Sequence, residues 1–218
     1  MRTNVSNNIY NMIKNDILIG ELNFGDKIIE IDYSNKYNIS RTPLREAIKQ
    51  LEIEGIIERL PNGRLRIMEI SEEKINEIFE IRIALEKLLF KSIIENNYSI
   101  QEISENLAMT KYHLDFENWD AARKLFFQFN DILYRTSNLE FTVKILKHYD
   151  FIISKLKRNA LQNIERIKEA YEEHLDLYES LKNKNIEKIE SINKLHLNNA
   201  RKIILDYFKK RKEQSEAL

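Results

Sequence analysis

Cysteine is absent from the 218 residues. That excludes disulfides and thiolate metal sites and fits a reducing compartment. Glycine occurs four times and proline twice, too few for a fold built on turns and short strands, so long helices are expected. No apolar run reaches the roughly 18 residues needed to cross a bilayer as a helix. The first residues lack the apolar core of a secretory signal. The expectation is a cytoplasmic chain with no membrane partner. Excess charge is also missing, since 35 Lys and Arg balance 35 Asp and Glu. A zero sum does not exclude an anionic partner, because binding depends on where positive charge lies. Apolar side chains are plentiful, at 43% of the chain, enough for one large core or two smaller ones.

One stretch organises the first third of the chain: Ser40-Arg41-Thr42-Pro43-Leu44-Arg45-Glu46-Ala47. Ser40 or Thr42 can cap a helix there, and Pro43 is tolerated because first-turn amides have no intrahelical partner. Ala47, Ile48 and Leu51 supply an apolar stripe at spacings of three and four. Arg41 and Arg45 share a face, and Glu46 is the only acid between Lys36 and Lys49. An ordinary amphipathic surface helix could carry this pattern. So could the helix that a helix-turn-helix protein lays in the major groove.

The flanking residues separate the two readings. Ile9, Ile13 and Ile17 mark a first helix over residues 6–19, ended by Gly20 as a left-handed cap. A short helix is expected over residues 32–37, with a turn at Asn38-Ile39. Gly55 stops the organising helix, and two alternating segments surround Pro61-Asn62-Gly63, a hairpin signal. Together, Gly20-x-Leu22-x-x-Gly25-x-x-Ile28, the organising octapeptide and Leu51-Glu52-x-Glu54-Gly55-Ile56-Ile57 resemble the GntR family of bacterial transcription regulators over residues 6–70. Phe24 stands where that family usually has Pro, and Tyr33-Ser34 where it has Leu-Ala. The resemblance implies a winged helix-turn-helix over residues 1–70 that binds double-stranded DNA at a palindromic operator. It assigns Arg41 and Arg45 to base edges and Ser40, Thr42 and Lys49 to phosphates. Gly63 falls at the wing tip, near the minor groove, and Arg64 and Arg66 on the second strand of the wing.

From Ser71 the pattern turns helical, with Ser71 as a cap and a further capping box in Ser99-Ile100-Gln101-Glu102. Helices are expected over about residues 72–97, from 100, and over 116–136, 139–157, 160–182 and 185–210, followed by a polar tail over 211–218. Phe79-Glu80-Ile81-Arg82-Ile83-Ala84-Leu85-Glu86, Glu173-His174-Leu175 and a terminal helix with His196 resemble the FCD effector-binding domain. That implies an all-helical bundle over residues 71–210 that binds a small effector and supports a homodimer.

Many FCD domains hold a divalent metal on an Asp and a His four residues apart plus two more His. Neutral imidazoles with a carboxylate suit Zn or Ni. His174 and His196 match the last two ligands, but Phe126 stands for the Asp and Asn130 for the first His. Asp131 is about 100° off that helix face. No cofactor is firmly implied, and a metal-free pocket lined by Phe126, Asn130, His174 and His196 is the expectation. Arg82 interrupts an apolar face. It could meet a carboxylate of the effector, or pair with Glu86 one turn on.

The expectation is a mainly α protein that regulates transcription as a repressor tuned by a small carboxylate-bearing effector. A helical metal-binding protein or metalloenzyme using His174 and His196 is the alternative. The Glu-x-x-His pattern of carboxylate-bridged bundles is missing, since Tyr171 and Asn193 precede the histidines by three. No nucleophile or phosphate loop is evident, so catalysis is not expected. A partner-binding module with a vestigial DNA domain conflicts with the presence of Arg41, Arg45 and Gly63.

Overall fold

A computed structural model describes residues 2–160 and 164–216, with side chains over 5–156 and 164–210. The chain divides into two compact units, Met1–Ser71 and Glu72–Leu218. Nine helices and three short strands are formed among the described residues.

In the first unit, the four-residue repeat of isoleucines becomes α1 (Arg2–Ile19), with Ile9, Ile13 and Ile17 almost fully buried. They pack with Leu44, Ala47, Ile48 and Leu51 of α3 (Arg41–Ile53). Tyr10 of α1 donates to both carboxylate oxygens of Glu54, just past α3, at 2.9 and 2.8 Å. Between them lies α2 (Glu30–Tyr37), two residues longer at its start than the expected 32–37. Asn38 follows it in the left-handed conformation and turns the chain towards α3.

The hairpin forms as β2 (Ile57–Arg59) and β3 (Leu65–Ile67), antiparallel, with Arg59 opposite Leu65. The sequence signal missed a third strand, β1 (Lys27–Ile28), which pairs with β3 and makes a sheet of order β1-β3-β2. Two residues are too short to show a period. Ile28, Ile57, Leu65 and Ile67 face the small core.

The elements of the second unit, among its described residues, are all helices: α4 (Glu72–Glu95), α5 (Gln101–Asp115), α6 (Trp119–Ser137), α7 (Glu140–Ala160), α8 (Ile164–Lys182) and α9 (Ile186–Glu216). One core runs through them, from Leu89, Phe90 and Ile93 of α4 to Phe129 and Leu133 of α6, Tyr171 and Leu177 of α8 and Ile189 of α9. Three local expectations change. Ile100 takes the N-cap position of α5 without a side-chain bond, so the capping box is not formed. Instead, Glu102 pairs with Arg135 of α6. The third helix of this unit starts at Trp119 rather than Phe116, because the Asn118 side chain accepts from the Ala121 amide and caps it. Helix α9 continues to Glu216, through most of the expected polar tail. Side chains of 211–218 and the backbone of 217–218 lie outside the described residues.

Candidate functional site

On α3 the buried stripe dictates what remains for solvent. Leu44, Ala47, Ile48 and Leu51 face inward, so Arg41, Thr42, Arg45 and Lys49 are exposed, as is Ser40 before the helix. Ser40 holds the extended N-cap conformation, but its hydroxyl makes no cap bond. Neither it nor the exposed Thr42 fills the capping role expected of them, and the first amides of α3 lack a side-chain partner at the cap. A helix N-terminus in that state favours an anion. Arg45 donates through Nε to Glu30 of α2 at 2.8 Å, with its own side chain 64% exposed.

The wing is braced from behind. Arg59 makes two bonds to Glu52 of α3, at 2.8 and 3.0 Å, and so ties β2 to the last turn of the helix. At the tip, the Gly63 amide donates to Leu60 and the Leu60 amide to Arg64, each at 2.8 Å. Gly63 has φ +79°, a left-handed backbone that side chains rarely adopt, and an added Cβ would meet nothing within 4 Å. Conformation, not crowding, therefore requires glycine there. Arg64 is exposed beside it. Glu30, Glu52 and Arg59 were not singled out by the sequence, since each acts through a partner seven to fifteen residues away.

In the second unit the structure brings Phe126, His174 and His196 together. The His174 ring is buried and stacks on Phe129, with centroids 3.9 Å apart and planes 11° apart. Phe126 stands 5.4 Å and His196 4.8 Å from it, centroid to centroid. Asn130 lies one turn from Phe126 on α6 and is half-buried. Behind His196 is Glu173, which accepts from His196 Nδ1 at 2.6 Å, from Asn199 at 2.7 Å and from both terminal nitrogens of Arg166 at 3.0 and 2.7 Å. Burial raises the carboxyl pKa, but the bonds from His196 and Arg166 outweigh it and bring the value down to about 2. Glu173 is therefore ionised, and His196 Nδ1 carries the donated proton. Arg166 and Glu173 sit two turns apart on one helix, a spacing that offered a sequence signal.

Arg82, on α4, makes its own set of contacts. It is 1% exposed and pairs with Glu86, Nε to Oε1 at 3.0 Å and an Nη at 2.8 Å, and with Asp150 of α7 at 3.5 Å. Tyr134 donates to the other oxygen of Asp150 at 2.6 Å. Burial works against the guanidinium charge, but Glu86 and Asp150 more than restore it and raise its pKa. Arg82 Nη1 has no hydrogen-bond partner. Of the two roles open to Arg82 in the sequence, the pair with Glu86 is formed, and Asp150 joins it from 68 residues away.

The residues present do not make a metal site. Glu173 is fully engaged, and Phe126 and Asn130 replace the other donors. No group of three His, Asp or Glu capable of holding a metal occurs among the described residues. No helix among them is long and apolar enough to cross a membrane.

A winged helix-turn-helix with an outward row of cations, followed in the same chain by an all-helical bundle, defines a DNA-binding transcription regulator with an effector domain. The family model for bacterial regulatory proteins of the gntR family matches residues 5–67, and the FCD domain model matches 77–199. The chain belongs to the GntR family and carries an FCD domain. It is 26% identical over 182 residues to the HTH-type transcriptional regulator YdhC of Bacillus subtilis, covering 82% of this chain and 81% of that one. It is 30% identical over 120 residues to the gluconate operon transcriptional repressor of the same organism, covering 54% and 47%. Among solved structures, Escherichia coli McbR/YncC superposes with a TM-score of 0.74 at 20% identity, covering 94% of this chain and 98% of that one. A GntR regulator from Rhodococcus sp. RHA1 superposes at 0.72 and 16% identity, covering 92% and 97%. These likenesses show the same fold.

Proposed function

We propose that the chain is a homodimeric repressor that binds a palindromic operator and loses affinity when a small effector enters the helical domain. The observation that carries this is the face of α3. Its inner side is wholly apolar and buried, and its outer side presents Arg41, Arg45 and Lys49 to solvent. Arg41 and Arg45 reach base edges, most favourably guanine. Ser40, Thr42 and Lys49 contact phosphates and fix the register. Gly63 and Arg64 let the wing tip approach the minor groove. Two-fold symmetry in the protein sets two half-sites at matching separation. The gluconate operon relative and the E. coli regulator RspR are named as repressors, which supports that sign of regulation.

In the helical domain the effector is a small molecule with an acceptor oxygen, a carboxylate in the reading the sequence gives. Phe126, Asn130, His174 and His196 line its site, and the unpartnered Arg82 Nη1 is the donor proposed for its acceptor oxygen. Effector binding favours one arrangement of the dimer over another and so changes operator affinity. The test is an anisotropy titration of the upstream region of its own gene, with and without small organic acids. Release of a two-chain complex by one acid, weakened in Arg82→Ala, is expected. An acid that acts equally on wild type and Arg82→Ala removes Arg82 from the site.

A further inference from the structure

In a bundle of this kind a divalent ion would tie α6, α8 and α9 together through side chains of all three. Here the same three helices are tied by other means. Phe129 and Phe126 of α6 pack on His174 of α8, and His174 meets His196 of α9. Glu173 of α8 holds His196 and Asn199 of α9 directly. The remaining donors fall short of the three protein ligands an open zinc site needs. Glu173 has spent both oxygens on four donors. Phe126 has none to give, and Asn130 offers a neutral amide.

We propose that an aromatic–imidazole cluster, with Phe129 stacked on His174 and Phe126 tilted against it, stands in place of the metal in this domain, and that Phe126 and Asn130 are the two residues that set this. Positions 126 and 130 are one helical turn apart and share a face of α6. The Phe126 ring already lies against His174, so a shorter carboxylate at 126 would direct oxygen towards the imidazoles. An imidazole at 130 would supply the third nitrogen. The histidines thus keep the positions of ligands while acting as packing and hydrogen-bonding groups. The consequence for the effector rests on the function proposed above: it is held by hydrogen bonds and ring contacts, not by chelation, and its action survives a chelator. Metal binding itself does not depend on that reading.

The experiment is metal uptake by the full chain, by equilibrium dialysis against Zn²⁺ or Ni²⁺ and elemental analysis. Wild type should retain far less than one ion per chain. The double variant Phe126→Asp/Asn130→His should retain close to one, with affinity raised at least a hundredfold. Near-stoichiometric metal in wild type, lost in His174→Ala, would overturn the proposal. So would a folded double variant that gains nothing. Should the double variant fail to fold, Asn130→His alone decides: three imidazoles should bind Zn²⁺ at least tenfold more tightly than two, and no gain overturns the assignment. Operator binding, measured alongside, separates failure of this inference from failure of the regulatory reading.

Discussion

Arg45 on α3 is 64% exposed and its carboxylate partner, Glu30, lies at the surface of the first unit. Arg82 on α4 is 1% exposed and touches two carboxylates, Glu86 and Asp150. An exposed pair contributes only about 0–1 kcal/mol and exchanges readily for another anion. A buried cation cannot exchange, because losing its partners strands charge in a low dielectric. The two regions therefore use one side-chain chemistry in opposite ways. Cations left outside the first unit mark where an external anion arrives. Those inside the second unit, Arg82 and Arg166, are held by carboxylates of the bundle itself, and Arg82 keeps one unpartnered nitrogen, Nη1.

The comparison breaks most visibly at Arg82. Arg82→Met should cost about 3–5 kcal/mol of stability in chemical denaturation, since Glu86 and Asp150 lose their cation. A loss below about 1 kcal/mol would place the pair with ordinary surface bridges.

Glu173→Gln should cost about 1.5–3 kcal/mol, by leaving the buried Arg166 with only the exposed carboxylate of Glu169, 3.6 Å away. It also carries a pH signature. The folded pKa, about 2, is depressed below the ordinary 4.5. The ionised carboxylate's contribution is therefore complete above about pH 4.5 and is lost as the pH falls towards 2. Denaturation midpoints of wild type should fall across that window, and those of Glu173→Gln should fall less.

On the exposed side, stability should be untouched and binding should move. Arg45→Ala should cost about 1–3 kcal/mol of operator affinity and relax base preference, with an unchanged melting temperature. Lys49→Ala should weaken operator and random DNA alike and reduce the salt slope by about one. The smallest effect is expected from Glu30→Gln, which frees Arg45 of its surface partner and shifts operator affinity by less than about 1 kcal/mol.

Much of this was legible in the chain. Isoleucines at 9, 13 and 17 gave α1, and Leu44, Ala47, Ile48 and Leu51 gave the inner face of α3 and, by subtraction, its outer one. Pro61-Asn62-Gly63 gave the wing. What periodicity does not encode is pairing at a distance. The strand Lys27–Ile28 exists only because Arg66 and Leu65 face it. Asp150 matters because it meets Arg82, and Tyr134 because it meets Asp150. Ser40 and Ser99 looked like caps, yet Ser40 makes no cap bond and Ser99 sits one residue too early, accepting only a long 3.4 Å bond from the Gln101 amide. Residue type proposes a cap, and backbone geometry decides whether one forms.

The most direct test of the central claim is a pair of binding titrations at one fixed salt concentration. Wild type and Arg45→Ala are each titrated against the protein's own upstream region and a random duplex of equal length. Wild type should prefer its upstream region by at least about a thousandfold, and Arg45→Ala should lose about ten- to a hundredfold of that preference. Equal binding of both duplexes by wild type would contradict sequence-specific readout through α3.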